Sequence, residues 1–306
     1  MKQNFRFGES RLCSALCVLQ TVLISVTYAM STNTDIKTFF PQINGNFSLV
    51  TWAHAVNDKE YLKKVLNNDK IMMIEADIVI GKLSNQEDNI PIMAHPPNKT
   101  SDLSLEDFLD QISDFNEQAG INNRQGKGVK LDFKETVAFT SSIEILKRLK
   151  KRHYPLWLNA DILAGYFGTA NKTEPVDAKT FLAYANNVEQ VTLSLGWTTC
   201  KCVPDQTYGN IQIQEMIDTI HSNHVINTIT FAVRACLIAN TNRDKMKELL
   251  DSTKNNNSSF TIWSHHQDEV NIDSLKKIIA QFGVESCSLT YSRIARTVRL
   301  IHKINC

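Results

Sequence analysis

The chain has no surplus charge of either sign. Its 33 lysines and arginines against 32 aspartates and glutamates leave +1, which gives neither the basic footprint of a nucleic-acid binder nor an acidic tail. Glycine is missing where a dinucleotide-binding fold would need it. The turn after the first candidate strand reads His-Ala-Val-Asn-Asp over 54–58, without the glycines that let a backbone approach a pyrophosphate. The cysteines form no zinc pattern, since a single residue separates Cys200 from Cys202. His221 and His224 share a helical spacing, but no third ligand lies nearby, so they read as surface residues. No change of composition splits the chain, and 42% hydrophobic with 21% charged residues is ordinary for a globular protein.

Long apolar runs are also absent, with one exception. Lys2, Arg6 and Arg11 precede an apolar stretch from Leu12 to about Met30, the pattern of a secretory signal cleaved near Ala29. Gln20, Ser25 and Thr27 interrupt the run, and it is short against the roughly 20 residues of a membrane span; a membrane anchor is the alternative. Residues 31–306 then form one domain. Sequons at Asn46, Asn98, Asn171, Asn256 and Asn257 agree with export and a glycoprotein. Five cysteines remain after the signal, an odd number in an oxidising compartment. A bridge from Cys200 or Cys202 to Cys236 is expected.

What is present centres on Ile71 to Ile80, IMMIEADIVI. Alternation along a strand puts Ile71, Met73, Glu75 and Asp77 on one face and Met72, Ile74, Ala76 and Ile78 on the other. A buried parallel strand is normally hydrophobic throughout. Two carboxylates at its C-terminal end therefore need a positive partner, at a cost of several kcal/mol for each one left unpaired. A cation held by oxygen ligands supplies it; an interior network with Lys130, Lys134 or Arg234 is the other arrangement.

A strand running into a loop is expected over Ser48–Asp58, and further strands over Gly128–Lys134, Pro155–Ile162, Val188–Trp197, Ile226–Ala235, Ser259–Ser264 and Val284–Ser292. Apolar residues at helical spacing follow each, ending with Ile294 to Ile301. Eight strand–helix units predict an α/β fold, a single (β/α)8 TIM-type barrel, in preference to a doubly wound open sheet. Reactive groups in such a barrel lie where strands end. The strand ends carry His54, Glu75, Asp77, Asp132, Lys134, Asn159, Asp161, Arg234 and Trp263, and His95 follows in the Ala-His-Pro-Pro segment.

Glu75, Asp77 and Asp132 are hard oxygen donors suited to Mg²⁺ or Ca²⁺. Histidine is the side chain whose unperturbed pKa lies near neutrality, so the pair His54 and His95 can supply a base and an acid. Lys134 suits a phosphoryl oxygen. Asn159 and Asp161 line the pocket or cap the loops that follow, and Trp263 serves as substrate platform or as packing. Cation, lysine and paired histidines together describe phosphodiester cleavage.

The order His54…Glu75-Ala-Asp77…His95…Asp132-Phe-Lys134 resembles the motif set of the PLC-like phosphodiesterase superfamily, which includes glycerophosphodiester phosphodiesterases. It is closer to the sphingomyelinase-D-type phospholipases in His54-Ala-Val-Asn57, Ile74-Glu-Ala-Asp77, Leu131-Asp-Phe-Lys134 and Ile262-Trp263. Over roughly Phe47 to Ile301, EADI, MAHPP, KLDFK, LNADI and SLGWT resemble the menorin family of secreted or membrane-tethered animal proteins. The resemblance implies a barrel of the PLC-like phosphodiesterase kind. It makes His54 and His95 the catalytic pair and Glu75, Asp77 and Asp132 the ligands of a magnesium-like ion. Lys134 would contact phosphate, with Asn159, Asp161, Arg234 and Trp263 lining the substrate site. The substrate would be a phospholipid, a lysophospholipid or a small phosphodiester. The menorin resemblance also implies extracellular protein partners, with the barrel as a non-catalytic recognition scaffold. Three departures leave the substrate class open: no Arg-Gly follows His54, Leu289-Thr-Tyr291 replaces a strand-eight asparagine, and Pro96-Pro97-Asn98 replaces a disulfide-bearing loop.

Overall fold

The structure is a computed structural model that describes residues 35–291, apart from 85, 150–151, 166–173, 189, 200–201, 203–204 and 266. The signal segment, the Ile294 to Ile301 helix, Asn171, Cys200, His266 and Cys306 lie outside the described residues. All described residues fall within the compact unit Thr34–Cys306.

Among the described residues ten strands form the sheet: β1 Trp52–Ala53, β2 Met73–Leu83, β3 Ile90–Met93, β4 Thr100–Ser101, β5 Gly128–Phe133, β6 Leu156–Leu163, β7 Val191–Trp197, β8 Thr228–Arg234, β9 Ser259–Ser264 and β10 Cys287–Tyr291. Eight run in the order β1-β2-β5-β6-β7-β8-β9-β10, each parallel to its neighbour. This is a nearly closed TIM-type barrel. The Phe47 N–H donates to the Val284 carbonyl (2.9 Å), joining the segments that lead into β1 and β10. Helices 59–66, 105–121, 136–148, 178–185, 210–222, 243–252 and 272–282 cover the outside. Side-chain caps from Asp58, Ser104, Asp177, Asn242 and Asn271 start five of them, each satisfying an amide that the helix leaves without an internal partner.

The two faces of each strand do different work. Outward residues such as Ile74, Ala76, Leu131, Leu158 and Leu193 pack against Phe108, Phe139, Phe181 and Met216 on the helices. At the N-terminal end of the barrel, Phe40, Ile43, Phe47 and Val50 pack on Met73 and Trp157. Burying Phe40 and Ile43 completely contributes roughly 1.5–3 kcal/mol each, and it plugs that end. Interiors of such barrels are usually branched aliphatics. Here Glu75, Lys130, Asn159, Ser194, Thr230, Thr261, Ser288 and Thr290 are buried instead, with the Thr230 and Thr261 hydroxyls 2.7 Å apart.

Two elements differ from expectation. The strand expected to run into a loop within Ser48–Asp58 is only two residues long, and the chain turns at Ala55, whose φ is 51°. The Ala-His-Pro-Pro segment follows β3, which pairs antiparallel with the far end of β2 (Ile78 with Met93). Pro91 fits β3 because a proline is tolerated where no ladder donor is needed.

The structure pairs Cys202 with Cys236, while Cys287 is a buried free thiol pushed up to about 12 by burial. No helix among the described residues is long and apolar enough to cross a membrane. The sequons divide by accessibility. Asn98 and Asn257 are exposed, whereas Asn256 is buried and its amide donates to the Val225 and Asn227 carbonyls (2.8 and 3.0 Å).

Candidate functional site

Strand register assembles the acidic group. Glu75 lies beside Lys130, and Asp77 beside Asp132; Asp132 in turn lies beside Asn159, and Asn159 beside Ser194. A polar relay follows that row. The Ser194 hydroxyl donates to Asn159 Oδ1 (2.6 Å), and Asn159 Nδ2 donates to Asp132 Oδ1 (2.6 Å). Lys134 Nζ bridges Asp132 Oδ2 at 2.6 Å and Asp77 Oδ1 at 2.8 Å. Burial lowers the affinity of the Lys134 amine for its proton, but Asp132, Asp77 and Glu75 outweigh it and hold Lys134 well above the usual lysine range.

The loop 54–57 folds back onto β2 and completes the site. Glu75 Oε2 accepts from the Ala55 N–H (2.8 Å) and from His54 Nδ1 (3.0 Å). Asn57 clamps Asp77 twice: its Nδ2 donates to Oδ2 (2.8 Å), and its Oδ1 accepts from the Asp77 N–H (2.9 Å). These bonds sustain the left-handed Ala55, a conformation that costs a non-glycine residue about 1 kcal/mol or more. Burial would raise Glu75; His54, and then Lys130, reverse this and bring it down to about 2. With an anionic Glu75 the network assigns the His54 proton to Nδ1. Its Nε2 is buried and without a hydrogen-bond partner among the described residues.

Ligand atoms of Glu75, Asp77 and Asp132 lie within 4.8 Å of one another. Three carboxylates with an ammonium seated between two of them fit a hard divalent cation by donor chemistry and by the place a positive charge already takes.

The remaining sequence-nominated residues fall at different places. His95 is exposed on the loop after β3, its Nδ1 donating to the Pro96 carbonyl (2.7 Å). The Ala94 N–H donates to the Asp77 carbonyl (3.0 Å), which ties that loop to the acidic end of β2. Arg234 is committed to Asp268 through a two-pronged pair (Nε to Oδ2 2.9 Å, Nη2 to Oδ1 2.6 Å), with its guanidinium over Trp263 at 5.0 Å. Sequence reading nominated Arg234 for substrate but did not see Asp268, which sits in a polar loop with no spacing to mark it. Asn57 appeared there only within the first histidine motif, and nothing local shows its clamp on Asp77.

Asp161 stands apart. Among the described residues none donates a hydrogen bond to its carboxyl, and a Cβ at Gly196 would collide with it. Burial, then the Asp132 charge, pushes Asp161 up to about 7, against 3.8 for an ordinary aspartate. Between those values the folded chain keeps a proton that the unfolded chain has released, so stability falls as pH rises through this window and levels off above it. Asp161→Asn is accordingly expected to stabilise by about 1–2 kcal/mol at pH 8, after allowing for solvent screening. Thermal melts should show that gain shrinking toward zero by about pH 4; a gain independent of pH would refute this account.

The Menorin N-terminal domain model matches residues 46–294. The chain belongs to the menorin family. Protein FAM151B of Homo sapiens is 35% identical to this menorin-family chain over 240 residues, covering 76% of this chain and 79% of FAM151B. Among solved structures, a protein from Anabaena variabilis described as a sugar phosphate isomerase/epimerase superposes with a TM-score of 0.44. It is 10% identical, over 84% of the menorin-family chain and 88% of that protein. A calcium-dependent phosphoinositol-specific phospholipase C from Pseudomonas sp. superposes with a TM-score of 0.39, at 11% identity over 81% and 92%.

Proposed function

We propose that this menorin-family chain is an extracellular, divalent-cation-dependent phosphodiesterase acting on a phospholipid, a lysophospholipid or a small phosphodiester. The observation that carries the reading is the convergence of Glu75, Asp77 and Asp132 beneath a His54 whose Nδ1 is fixed by Glu75. A structural salt-bridge network needs no histidine held in one tautomer with its other nitrogen turned inward.

In this reading Glu75, Asp77 and Asp132 hold Mg²⁺, or Ca²⁺ in its place. The ion when bound offsets charge on the phosphoryl oxygens. His54 Nε2 takes the proton of the attacking hydroxyl, from water or from the substrate itself. His95 returns a proton to the departing oxygen as its bond to phosphorus breaks. Asn159 and Asp161 line the same mouth, with Trp263 as a platform. Arg234 contributes less net charge to substrate than its type suggests, since Asp268 offsets it.

The test is a panel of phosphodiesters assayed with Mg²⁺ and with chelator, beside His54→Ala. Cleavage should require the cation and fall at least about 100-fold in the variant. Activity indifferent to both rejects the mechanism. One observation favours a second reading: Lys134 already offsets two of the carboxylates, as a non-catalytic recognition scaffold would require. No cleavage of any diester, together with retained binding to extracellular protein partners, would select it.

A further inference from the structure

The ammonium of Lys134 occupies the same oxygens that would hold a cation. Its Nζ is 2.8 Å from Asp77 Oδ1 and 2.6 Å from Asp132 Oδ2, while a magnesium ion bonds carboxylate oxygens at about 2.0–2.1 Å. An ion bound to those two oxygens would lie almost against the ammonium, and like charges at that separation repel strongly.

Lys134 is also built to move where Lys130 is not. Lys130 lies within β5 and is almost wholly buried. Lys134 is the first residue past the end of β5, with its backbone N–H fixed to the Ile78 carbonyl (3.0 Å). Its side chain keeps 22% exposure, so a four-carbon stem can swing toward the mouth about a fixed base. Asp77 and Asp132 stay where they are without it, since Asn57 and Asn159 hold their other oxygens.

We propose that Lys134 is a tethered competitor for the divalent cation: it fills the seat between Asp77 and Asp132, leaves when the ion arrives, and is then free at the mouth to meet a phosphoryl oxygen. This rests on the cation half of the function proposed above. Entry of the ion and readiness of the phosphate-binding ammonium become one exchange, so the metal-free site is a poor phosphate binder.

Calorimetric titration of the full chain with MgCl₂, beside Lys134→Gln, tests the exchange without any substrate. The variant should bind Mg²⁺ about tenfold more tightly, since no ammonium has to be displaced, and without metal it should melt lower than the native chain. Equal or weaker binding by the variant overturns the proposal while leaving the cation site standing. No binding by either protein removes the cation site itself. Should the variant not fold, the native chain crystallised with MnCl₂ decides. An ion on Asp77 and Asp132 with Lys134 Nζ beyond hydrogen-bond reach of both supports the exchange; an ion with Lys134 still bridging them overturns it.

Discussion

Replacing Asp268 by alanine is expected to cost about 3–5 kcal/mol of stability, the loss typical of removing one partner from a buried ion pair. The pair qualifies because Asp268 and Arg234 have side-chain exposures of only 2% and 7%. Two N–H···O bonds, one to each carboxylate oxygen, tie the guanidinium to Asp268. The His265 N–H also donates to Asp268 Oδ2 (2.9 Å), so the truncation frees a second donor. Arg234 cannot move out to water easily, because Trp263 stacks on it and the Cys202–Cys236 bridge begins two residues further on. The cost is mostly that of a buried guanidinium whose opposing charge is gone, and the design of the check follows. Adding Arg234→Met to Asp268→Ala should recover most of the loss in urea unfolding. If the double variant is as unstable as the single one, the pair owes its effect to packing and the electrostatic account fails.

The contrast between Arg234 and the Glu75–Asp77–Asp132 group shows what a sequence makes legible. Both carboxylates of β2 announce themselves because they interrupt an apolar strand at alternate positions, and Asp132 does the same in β5. Alternation is a local property, so the inward faces could be read before any contact was known. Eight such strands with helical spacings between them were enough for the barrel. Partner identity is a different matter, since it depends on register and on loops. Asp268 lies 34 residues from Arg234, in a segment with no periodicity. The shortness of β1 is not legible either: Ser48 to Asp58 reads as a strand running into a loop, and the bonds that Ala55 and Asn57 make with Glu75 and Asp77 set where it turns back. Charge alone reads Lys134 as a phosphate contact or as a member of an interior network. That its bonds reach Asp77 and Asp132 follows from two strands standing side by side.

Glu75→Gln is the substitution with the widest consequences, and it is expected to reduce phosphodiester cleavage by roughly 10³–10⁴-fold. The amide oxygen can still accept from Ala55 and from His54 Nδ1, so the loop 54–57 should keep its turn. What disappears is the negative charge that orients the His54 proton and offsets an imidazolium as it forms, together with one of the three carboxylate ligands. The amide also turns N–H donors toward the charge of Lys130, which loses its register partner. The stability effect has a definite pH window. Glu75 sits at about 2 in the folded chain against 4.5 ordinarily, so its contribution is present above about pH 4.5 and is lost as the pH falls toward 2. That contribution is about 3 kcal/mol. Native and Glu75→Gln chains should therefore differ most near neutrality and converge in acid, as read by urea unfolding along a pH series. The two readouts separate the two readings of the barrel. A scaffold loses the stability and has no cleavage to lose; an enzyme loses both, and a variant that kept cleavage near the native rate would remove Glu75 and its histidine from the mechanism.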